Sequence, residues 1–329
     1  MVPIIQISLD GQDISSKVNA RILNGEAVMC DGQRADELTL HLSNHDGRLA
    51  KPARGARLSV SLGFQETGIG YVGLFEVQEV QKVGASAEFH VRAHSADMKK
   101  TLKNQKNRSW VKGETLGAIL SRVAADNGLS PAISGALAAI VPGPTYQTNE
   151  SDMHLITRLA AHYGAIGKPA DGKLVFVEKG SGQSASGADM PAVSLTPNDL
   201  EADFTIGDKD RHDRGKVKAH HFDHARARRI EVSAGGGDGP DYTMPRLYPN
   251  KEQAEKACKA RKAAFDRAKK SFSGTFKTGD TRAKPGGVLT SSGFGDDDDG
   301  DWSIKRVVHQ FNGSGYTTRF EAETKGAKT

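Results

Sequence analysis

Cysteine is almost missing from this chain of 329 residues, which contains only Cys30 and Cys258. Two cysteines so far apart in sequence provide neither a disulfide framework nor the ligand spacing of a zinc site. We therefore expect two free thiols in a protein that is assembled in a reducing cytoplasm.

Long hydrophobic runs are also missing. Residues 1–6 have neither a basic segment nor an extended apolar stretch, so they do not form a signal peptide. No window approaches the roughly 20 apolar residues that are needed to cross a bilayer. The sequence predicts a protein that is soluble when made and has no membrane span.

Aromatic residues are sparse, at 6% of the chain, whereas glycine is abundant, with 37 residues. This balance favours many turns and modest cores, as in turn-rich β proteins, and the length suits two or three domains. The 45 Lys and Arg nearly balance the 40 Asp and Glu, giving a net charge of +5. So small an excess argues against specific nucleic-acid binding by the whole molecule.

Motifs that carry chemistry are missing as well. The chain has no Gly-x-Ser-x-Gly elbow, no His-Glu-x-x-His, no P-loop and no dinucleotide fingerprint. A pair of glycosidase carboxylates leaves no sequence signature, so that alternative stays open. The sequence therefore predicts no catalytic, cofactor-binding or metal-binding residues and no cofactor. We expect a protein that is not an enzyme.

Two distant segments share one pattern. Residues 75–80 alternate apolar and polar side chains, break the alternation once, turn near Gly84 and return as a second alternating run at 89–93. Residues 302–307 break the alternation at the same offset, turn at 313–315 and return at 320–322. This repeat predicts two related β-hairpins, and hence a duplicated β domain. Duplicated β domains without a catalytic cluster more often build assemblies than perform chemistry.

Three domains are predicted. The first, residues 1–97, alternates apolar and polar residues between Asp-Gly turns, which indicates an antiparallel β-barrel or sandwich, and we expect a barrel. The third, residues 181–329, begins with a Gly/Ser-rich linker and forms a second such barrel, with hairpin strands at 216–220 and 229–232. It also includes one long helix near 250–271, which is capped by Asn250 and carries eight cations against three acids.

The middle domain, residues 98–180, is predicted to be a βααβ insertion that is similar to a LysM fold. The first helix is indicated by the stripe Leu116, Ile119, Leu120 and Val123, and the second by Leu155, Ile156 and Leu159. We expect Asn149 to cap the second helix and Gly164 to end it. The basic run 98–112 reads as a solvated linker, with a phosphate-binding strip as the alternative.

Two clusters of polar residues are candidates for ligand-binding sites. The histidines at 212, 220, 221 and 224 lack the spacing of metal ligands, so partly exposed strand histidines are the preferred interpretation. The acidic run Asp296, Asp297, Asp298, Asp299 and Asp301 lacks the alternating ligands and distal Glu of a calcium loop. We expect that run to be a hydrated hairpin loop.

The segment 147–164 resembles the Glu-Ser-Asp…Arg-Leu-Ala…Gly helix of the phage late control gene D family. That family comprises contractile-tail baseplate hub proteins related to the hub-like part of VgrG. Six other segments resemble the family in the same order, namely 36–40, 46–49, 55–58, 115–120, 300–304 and 315–318. The resemblance covers most of the chain.

The resemblance implies a homotrimeric structural hub in the virion tail baseplate, assembled in the host cytoplasm. Two tube-like domains per chain would give six similar units, which suits an adaptor between a sixfold tail tube and a threefold spike. The implied partners are the other copies of the chain, a tail spike protein, and a tail tube or tube-initiator protein, with a tape measure protein as a further candidate. A peptidoglycan-binding or muralytic tail component that acts through the middle domain is the alternative.

Overall fold

The computed structural model describes residues 1–32, 35–84, 87–95, 100–111, 113–209, 213–223 and 226–325. Within them the chain is mainly β, with a smaller α+β part, as predicted. The strands form one sheet of 13 strands, two sheets of three and one of two. No helix in the described part of the chain is long and apolar enough to span a membrane.

The first β segment consists of seven strands, with a short helix α1, Ser15–Val18, after the second. The strands are β1 Pro3–Leu9, β2 Gln12–Asp13, β3 Ile22–Cys30, β4 Glu37–Ser43, β5 Arg57–Phe64, β6 Gly68–Val83 and β7 Glu88–Ser95. The apolar residues at alternate positions of β4 are buried, and the polar residues between them are partly exposed, because successive strand residues face opposite sides of the sheet.

The middle segment contains more elements than the predicted βααβ order. They are α2 Lys100–Lys103, β8 Gln105–Trp110, α3 Leu116–Asp126, β9 Ser130–Ile133, α4 Gly135–Ala138, β10 Thr145–Ser151, α5 Asp152–Tyr163, β11 Ala165–Ala170 and β12 Lys173–Glu178. Strand β8 pairs with β10, and β12 pairs with both β9 and β11. The two main helices are confirmed, and their apolar stripes are buried in one cluster.

Two local predictions for this segment are wrong. Ser151, not Asn149, caps α5 and accepts a hydrogen bond from the backbone of His154, while Asn149 lies in β10 with a positive φ of 46°. The run 98–112 is not a solvated linker in its described part, because residues 105–110 form β8 and Trp110 is 2% exposed. The end of α5 at Gly164, with φ 65°, is confirmed.

The last segment completes the large sheet and adds a smaller unit. Its strands are β13 Val193–Leu195, β14 Thr205–Asp208, β15 Val217–Asp223, β16 Arg228–Ala234, β17 Tyr242–Tyr248, β18 Lys270–Phe276, β19 Val288–Ser291, β20 Gly300–Asn312 and β21 Gly315–Thr324. Helix α6, Lys251–Ala268, packs on the sheet formed by β15, β16 and β17 through a separate apolar cluster. Asn250 caps α6 as predicted, but the helix ends before Ser271, which lies in β18 and pairs with β21.

The prediction of two closed barrels needs correction. The large sheet runs in the order β14-β18-β21-β20-β3-β4-β7-β6-β5-β1-β2, and β19 and β13 branch from β20. This path does not return on itself within the described residues. The two β segments instead share one sheet and one contiguous apolar core, because β3 of the first segment pairs with β20 of the second.

Candidate assembly interface

The two hairpins that repeat in the sequence also repeat in strand register. In the first, Val77 lies opposite Ala93 and the next ladder pair is Glu79 with Arg92, so that Gln78 is the extra residue of a β-bulge. In the second hairpin, Ile304 lies opposite Ala322 and the next pair is Arg306 with Glu321, so that Lys305 is the extra residue. The break in alternation is therefore a bulge at the same place in both hairpins.

The correspondence extends to six strands. In the first segment the neighbours run β3-β4-β7-β6-β5-β1. In the second they run β14-β18-β21-β20-β19-β13, with each strand in the corresponding place. One difference is that β13 pairs parallel with β19, whereas β1 pairs antiparallel with β5. The chain thus contains two copies of one sheet topology.

The two copies are joined by what we call the internal interface, residues 25–30 of β3 paired antiparallel with residues 306–311 of β20. The backbone N–H of Asp31 extends the ladder by donating to the carbonyl oxygen of Lys305 at 2.8 Å. Gln310 donates from Nε2 to Glu26 Oε2 at 3.0 Å on the exposed side. Backbone pairing of this kind specifies register as well as contact.

A glycine and a phenylalanine fit together at one end of the internal interface. Phe311 is 2% exposed and lies opposite Gly25 in the ladder. A β-carbon built on Gly25 would lie only 2.2 Å from Phe311 Cε2. The side chain of Phe311 therefore occupies the space that any other residue at position 25 would need.

A buried polar cluster lies beside that contact. His309 is fully buried, and its Nδ1 lies 2.9 Å from Thr318 Oγ1 and 3.0 Å from the Tyr316 hydroxyl. Burial lowers the pKa of His309 to about 3, and burial likewise raises the pKa of the Tyr316 hydroxyl. The imidazole is thus held neutral in the core next to the internal interface.

Glu323, which is 5% exposed, connects several parts of the chain through charge. Lys179 at the end of the middle segment lies 3.4 Å from Glu323 Oε1, and Arg267 of α6 lies 3.3 Å from the same oxygen. Lys305, the bulge residue of β20, lies 3.4 Å from Glu323 Oε2. Because Lys179 also binds Asp31 at 3.0 Å, this one cluster fixes the middle segment and α6 against both β segments.

A second charged contact holds the middle segment to the first β segment. Lys168 Nζ lies 2.9 Å from Asp36 Oδ2 and donates to the backbone carbonyl of Cys30 at 2.8 Å. The Tyr71 hydroxyl donates to Asp171 Oδ1 at 2.7 Å nearby. The first contact joins β11 to the large sheet, and the second joins the turn between β11 and β12 to it.

The Glu-Ser-Asp motif has a structural role. Asp152 is fully buried and accepts hydrogen bonds from Lys106 at 2.6 Å, Asn127 at 2.8 Å and Gln147 at 2.9 Å, and it also pairs with Arg108. Burial alone would raise the pKa of this carboxyl group, but these donors outweigh burial and lower it. The motif therefore ties the start of α5 to β8 and α3 rather than forming a reactive site.

Glu150, the first residue of the same motif, binds Arg158 of α5, eight residues further along. Arg158 Nη2 lies 2.7 Å from Glu150 Oε2, and Nε lies 2.9 Å from Oε1, so the pair is bidentate. Burial alone would raise the pKa of Glu150, but the contacts with Arg158 outweigh burial, and the net effect is a lowered pKa. The bidentate geometry fixes the turn from β10 into α5.

The histidines do not form a metal site in the described residues. His220 lies 3.7 Å from Glu231, and His221 is 7% exposed on the other face of β15. Positions 212 and 224 lie outside the described residues. No group of three His, Cys, Asp or Glu side chains suitable for a metal occurs in the part of the chain that the structure describes.

The acidic run forms a compact turn between β19 and β20. The carboxylate of Asp299 accepts backbone hydrogen bonds from Gly293 and Phe294, each at 2.9 Å, and Asp298 lies 3.3 Å from Lys270. The prediction of a hairpin loop is confirmed for residues 296–299, whereas Asp301 lies in β20. Asp298, Asp299 and Asp301 bind other residues of the fold instead of being only hydrated.

Sequence reasoning missed the residues that join the two halves. Strand β3 was not predicted, although Ala27 and Met29 alternate with partly exposed neighbours. Strand β14 has only four residues and offered little periodicity. Strand β3 could have been predicted from the requirement that both copies of the repeated unit contain the same number of strands.

Comparison with curated proteins finds close relatives over the whole length. The chain is 30% identical to the probable baseplate hub protein of Escherichia phage 186, over 99% of this chain and 94% of the relative. It is also 30% identical to the probable baseplate hub protein of Escherichia phage P2, with the same coverage of both chains.

Solved structures with the same fold include tail proteins of low sequence identity. The 43 kDa tail protein of prophage MuSo2 from Shewanella oneidensis has a TM-score of 0.73 at 13% identity, over 98% of both chains. The tail protein from Neisseria meningitidis MC58 has a TM-score of 0.72 at 13% identity, over 98% of this chain and 97% of that one. These two establish a shared fold.

The family model described as the phage tail baseplate hub (GPD) matches residues 34–315. That range includes the middle segment, the first bulged hairpin, strand β20 of the second hairpin and residues 306–311 of the internal interface. Together with the two whole-length relatives, it shows that this chain belongs to the phage tail baseplate hub family, as the resemblance of its α5 motif predicted.

Proposed function

We propose that this baseplate hub protein is a homotrimer that adapts a sixfold tail tube to a threefold spike. The observation that carries the proposal is the duplicated six-strand topology, with its matching bulges at Gln78 and Lys305. Three copies of a chain with two similar units present six similar units in a ring. Such a ring can meet a sixfold partner on one side and a threefold partner on the other.

The open sheet supports association. Its path ends in strands whose outer edges have no strand partner within the described residues. Unpaired edges are templates for further strands, and closure into a ring removes them. On this proposal the barrel that the sequence predicted for each domain is completed only in the assembly.

The proposed partners follow from the same role. They are two further copies of the chain, a tail spike protein, and a tail tube or tube-initiator protein, with a tape measure protein as a further candidate. The protein would be part of the virion tail baseplate after assembly in the host cytoplasm. The division into residues 1–97, 98–180 and 181–329 remains our proposal for its domains, with a structural and non-enzymatic role.

The charge distribution supports an orientation for α6. Residues 213–269 contain 14 Lys and Arg against 8 Asp and Glu, a net charge of +6, so the rest of the chain has a net charge of −1. A basic lining would bind DNA phosphates and slow passage through a tube. We therefore place the basic unit on the outside of the ring, and a neutral or acidic surface on the lumen.

Native mass spectrometry of the full chain, alone and mixed with its candidate spike protein, tests the trimer. We expect a species of three times the 35.2 kDa chain mass, either alone or with the spike. A stable monomer or dimer under both conditions would refute the proposal. Electron microscopy of the trimer then tests the orientation of α6, which should point away from the axis.

A further inference from the structure

Several strand edges in the large sheet have no strand partner within the described residues, among them one on β6 and one on β14. Strand β6 pairs with β5 through residues 68–76 and with β7 through residues 75–83, so the outer edge of its last part, residues 79–84, is open. Strand β14 pairs with β18 on one side only. We call these the β6 edge, residues 79–84, and the β14 edge, residues 204–209.

The internal repeat relates both edges to the internal interface. Val80 lies opposite Val91 in β7, as Val307 lies opposite Phe320 in β21, so the β6 edge corresponds to residues 306–311 of β20. The counterpart of β3 follows from four ladder pairs. In the first copy Ala27 pairs with Leu38 and Leu38 with Ala93, and in the second Ile206 pairs with Phe272 and Phe272 with Ala322, where Ala322 corresponds to Ala93. The β14 edge therefore corresponds to residues 25–30 of β3.

We propose that the β6 edge of one copy pairs antiparallel with the β14 edge of a second copy, in the register of the internal interface. That register places Glu79 opposite Lys209, Gln81 opposite Gly207 and Gly84 opposite Phe204. The proposal rests on the homotrimer proposed above and adds the surface and the alignment by which its copies associate. The same ladder would then occur within each chain and between chains.

The contact between Phe311 and Gly25 has a mirrored counterpart in this register. Phe311 corresponds to Gly84, and Gly25 corresponds to Phe204, so the large and the small residue exchange strands. Phe204 is 37% exposed, and nothing lies within 4 Å of a β-carbon built on Gly84. The ring of Phe204 packs edge-to-face against Phe272 and Phe294 of its own chain but stays partly exposed. A partly exposed ring on one edge thus matches an empty space on the other, as the buried ring matches the glycine inside the chain.

Charge favours the same alignment. Lys209 has an exposed side chain with no ion-pair partner within the described residues. Glu79, in the opposite ladder position, has a side chain that is 44% exposed, lies 3.8 Å from Arg92 and accepts a hydrogen bond from Gln81. Opposite charges directly across an antiparallel pair stabilise it, and like charges destabilise it.

The association is head to tail, because each copy offers a different edge on either side. A second copy is the occupant that the geometry favours, because β20 pairs with β3 inside the chain, and β6 and β14 are the repeats of β20 and β3. Pairing through exposed main-chain groups provides affinity, and the side chains at 84 and 204 specify the register.

Disulfide trapping tests the register. The hydrogen bond from Asp31 to Lys305 shows that Val28 and Val308 form a non-hydrogen-bonded pair, where side chains approach most closely. The equivalent pair between copies is Gln81 with Gly207, and Gly207 has open space around its β-carbon position. The variant Gln81→Cys/Gly207→Cys in the full chain should form interchain disulfides under mild oxidation.

Three control variants accompany it. Gln81→Cys/Thr205→Cys is two residues out of register and should give at most a tenth of the crosslinked product, because the distance exceeds disulfide geometry. Val28→Cys/Val308→Cys should form an intrachain bond without a change of mass on a non-reducing gel. The single variant Gln81→Cys reports the background from Cys30 and Cys258.

The outcomes separate this inference from the proposed function. Covalent dimers and trimers in the in-register variant alone support the pairing. Equal crosslinking in both double variants, or none in either, overturns it. A trimer in native mass spectrometry without the in-register crosslink rejects the register and leaves the hub proposal standing, whereas a monomer with and without the spike rejects the hub proposal itself.

A steric variant gives a second measurement. Gly84→Val adds a branched side chain that points into open space in the single chain, so its thermal unfolding should match wild type. The same change should reduce the trimer fraction at least tenfold, because the space for Phe204 of the next copy is filled. An unchanged trimer fraction in Gly84→Val would contradict the proposal.

Discussion

The ring of Phe311 lies over Gly25, and this contact joins the two halves of the duplicated sheet at the end of their shared ladder. It places a fully buried aromatic side chain against backbone, where even a methyl group has no room. The internal interface is therefore fixed by the fit of the Phe311 ring against the backbone of Gly25 as well as by hydrogen bonds between strands.

Gly25→Ala should destabilise the chain by about 2 kcal/mol or more, because the added methyl group meets the ring of Phe311 in a packed core. Denaturant unfolding followed by fluorescence measures the change. Gly84→Ala, at the open position that corresponds to Phe311 in the repeat, is the matched control and should remain within about 0.5 kcal/mol of wild type. An equal loss of unfolding free energy in both variants would show that the contact with Phe311 is not the cause of the destabilisation.

Asp152→Asn should destabilise the chain by about 3 kcal/mol, because it leaves Lys106 and Arg108 next to a buried neutral amide. Asp126→Asn is the control, since Asp126 pairs with the same Arg108 but has a side chain that is 42% exposed. It should cost less than about 1 kcal/mol. The free energy of unfolding in urea distinguishes the two variants, and comparable values for both would contradict the role assigned to Asp152.

The chain should lose stability as the pH falls below about 6.5, in part through His309. Its pKa is about 3 in the fold, so the unfolded chain binds a proton in this range and the folded chain does not. Between pH 7 and pH 5 this difference amounts to about 2 kcal/mol for a fully buried histidine. Above about pH 6.5, the pKa of histidine in the unfolded chain, the full stabilising contribution of neutral His309 is present.

Urea unfolding at both pH values, for wild type and His309→Gln, measures this contribution. Other groups with lowered pKa values, such as Asp152, add to the pH dependence of both proteins equally. The variant should therefore show a smaller loss between pH 7 and pH 5 than wild type. The same loss in both proteins would mean that His309 does not titrate as its burial indicates.

Deletion of Lys305 should unfold or severely destabilise the second β segment. Without the bulge residue, Val307 and the residues after it in β20 would turn to the opposite face of the sheet. Lys305→Ala keeps the residue count and should cost only about 1 kcal/mol from the lost contact with Glu323. Circular dichroism and thermal unfolding of the two variants separate the effect of register from that of charge.

The parts of the fold that depend on local pattern were predictable from the sequence. Both bulged hairpins could be read from alternation that broke at one residue, and Asn250 and Gly164 marked helix ends by their cap chemistry. The cap of α5 was misplaced because Asn149 and Ser151 are both good capping residues, and only the tertiary pairing of β10 decides between them.

The parts that depend on long-range pairing were not predictable. Lys106 and Arg108 were read as solvated because a single sequence does not show that Asp152 lies behind them. The internal interface pairs residues almost 300 positions apart, and its glycine looks in sequence like any turn residue. The expected closed barrels were wrong for the same reason, since local alternation indicates strands but does not say which edges meet.

A covalent tether has a kinetic consequence for the pairing of β3 with β20. Because both strands belong to one polypeptide, that ladder forms at a high effective concentration and without any encounter between molecules. In a ring of three chains, three of the six joints would already exist, one within each newly folded subunit. Dilution would then slow only the formation of the three joints between chains. A tail would therefore be able to start assembling at a low concentration of hub protein.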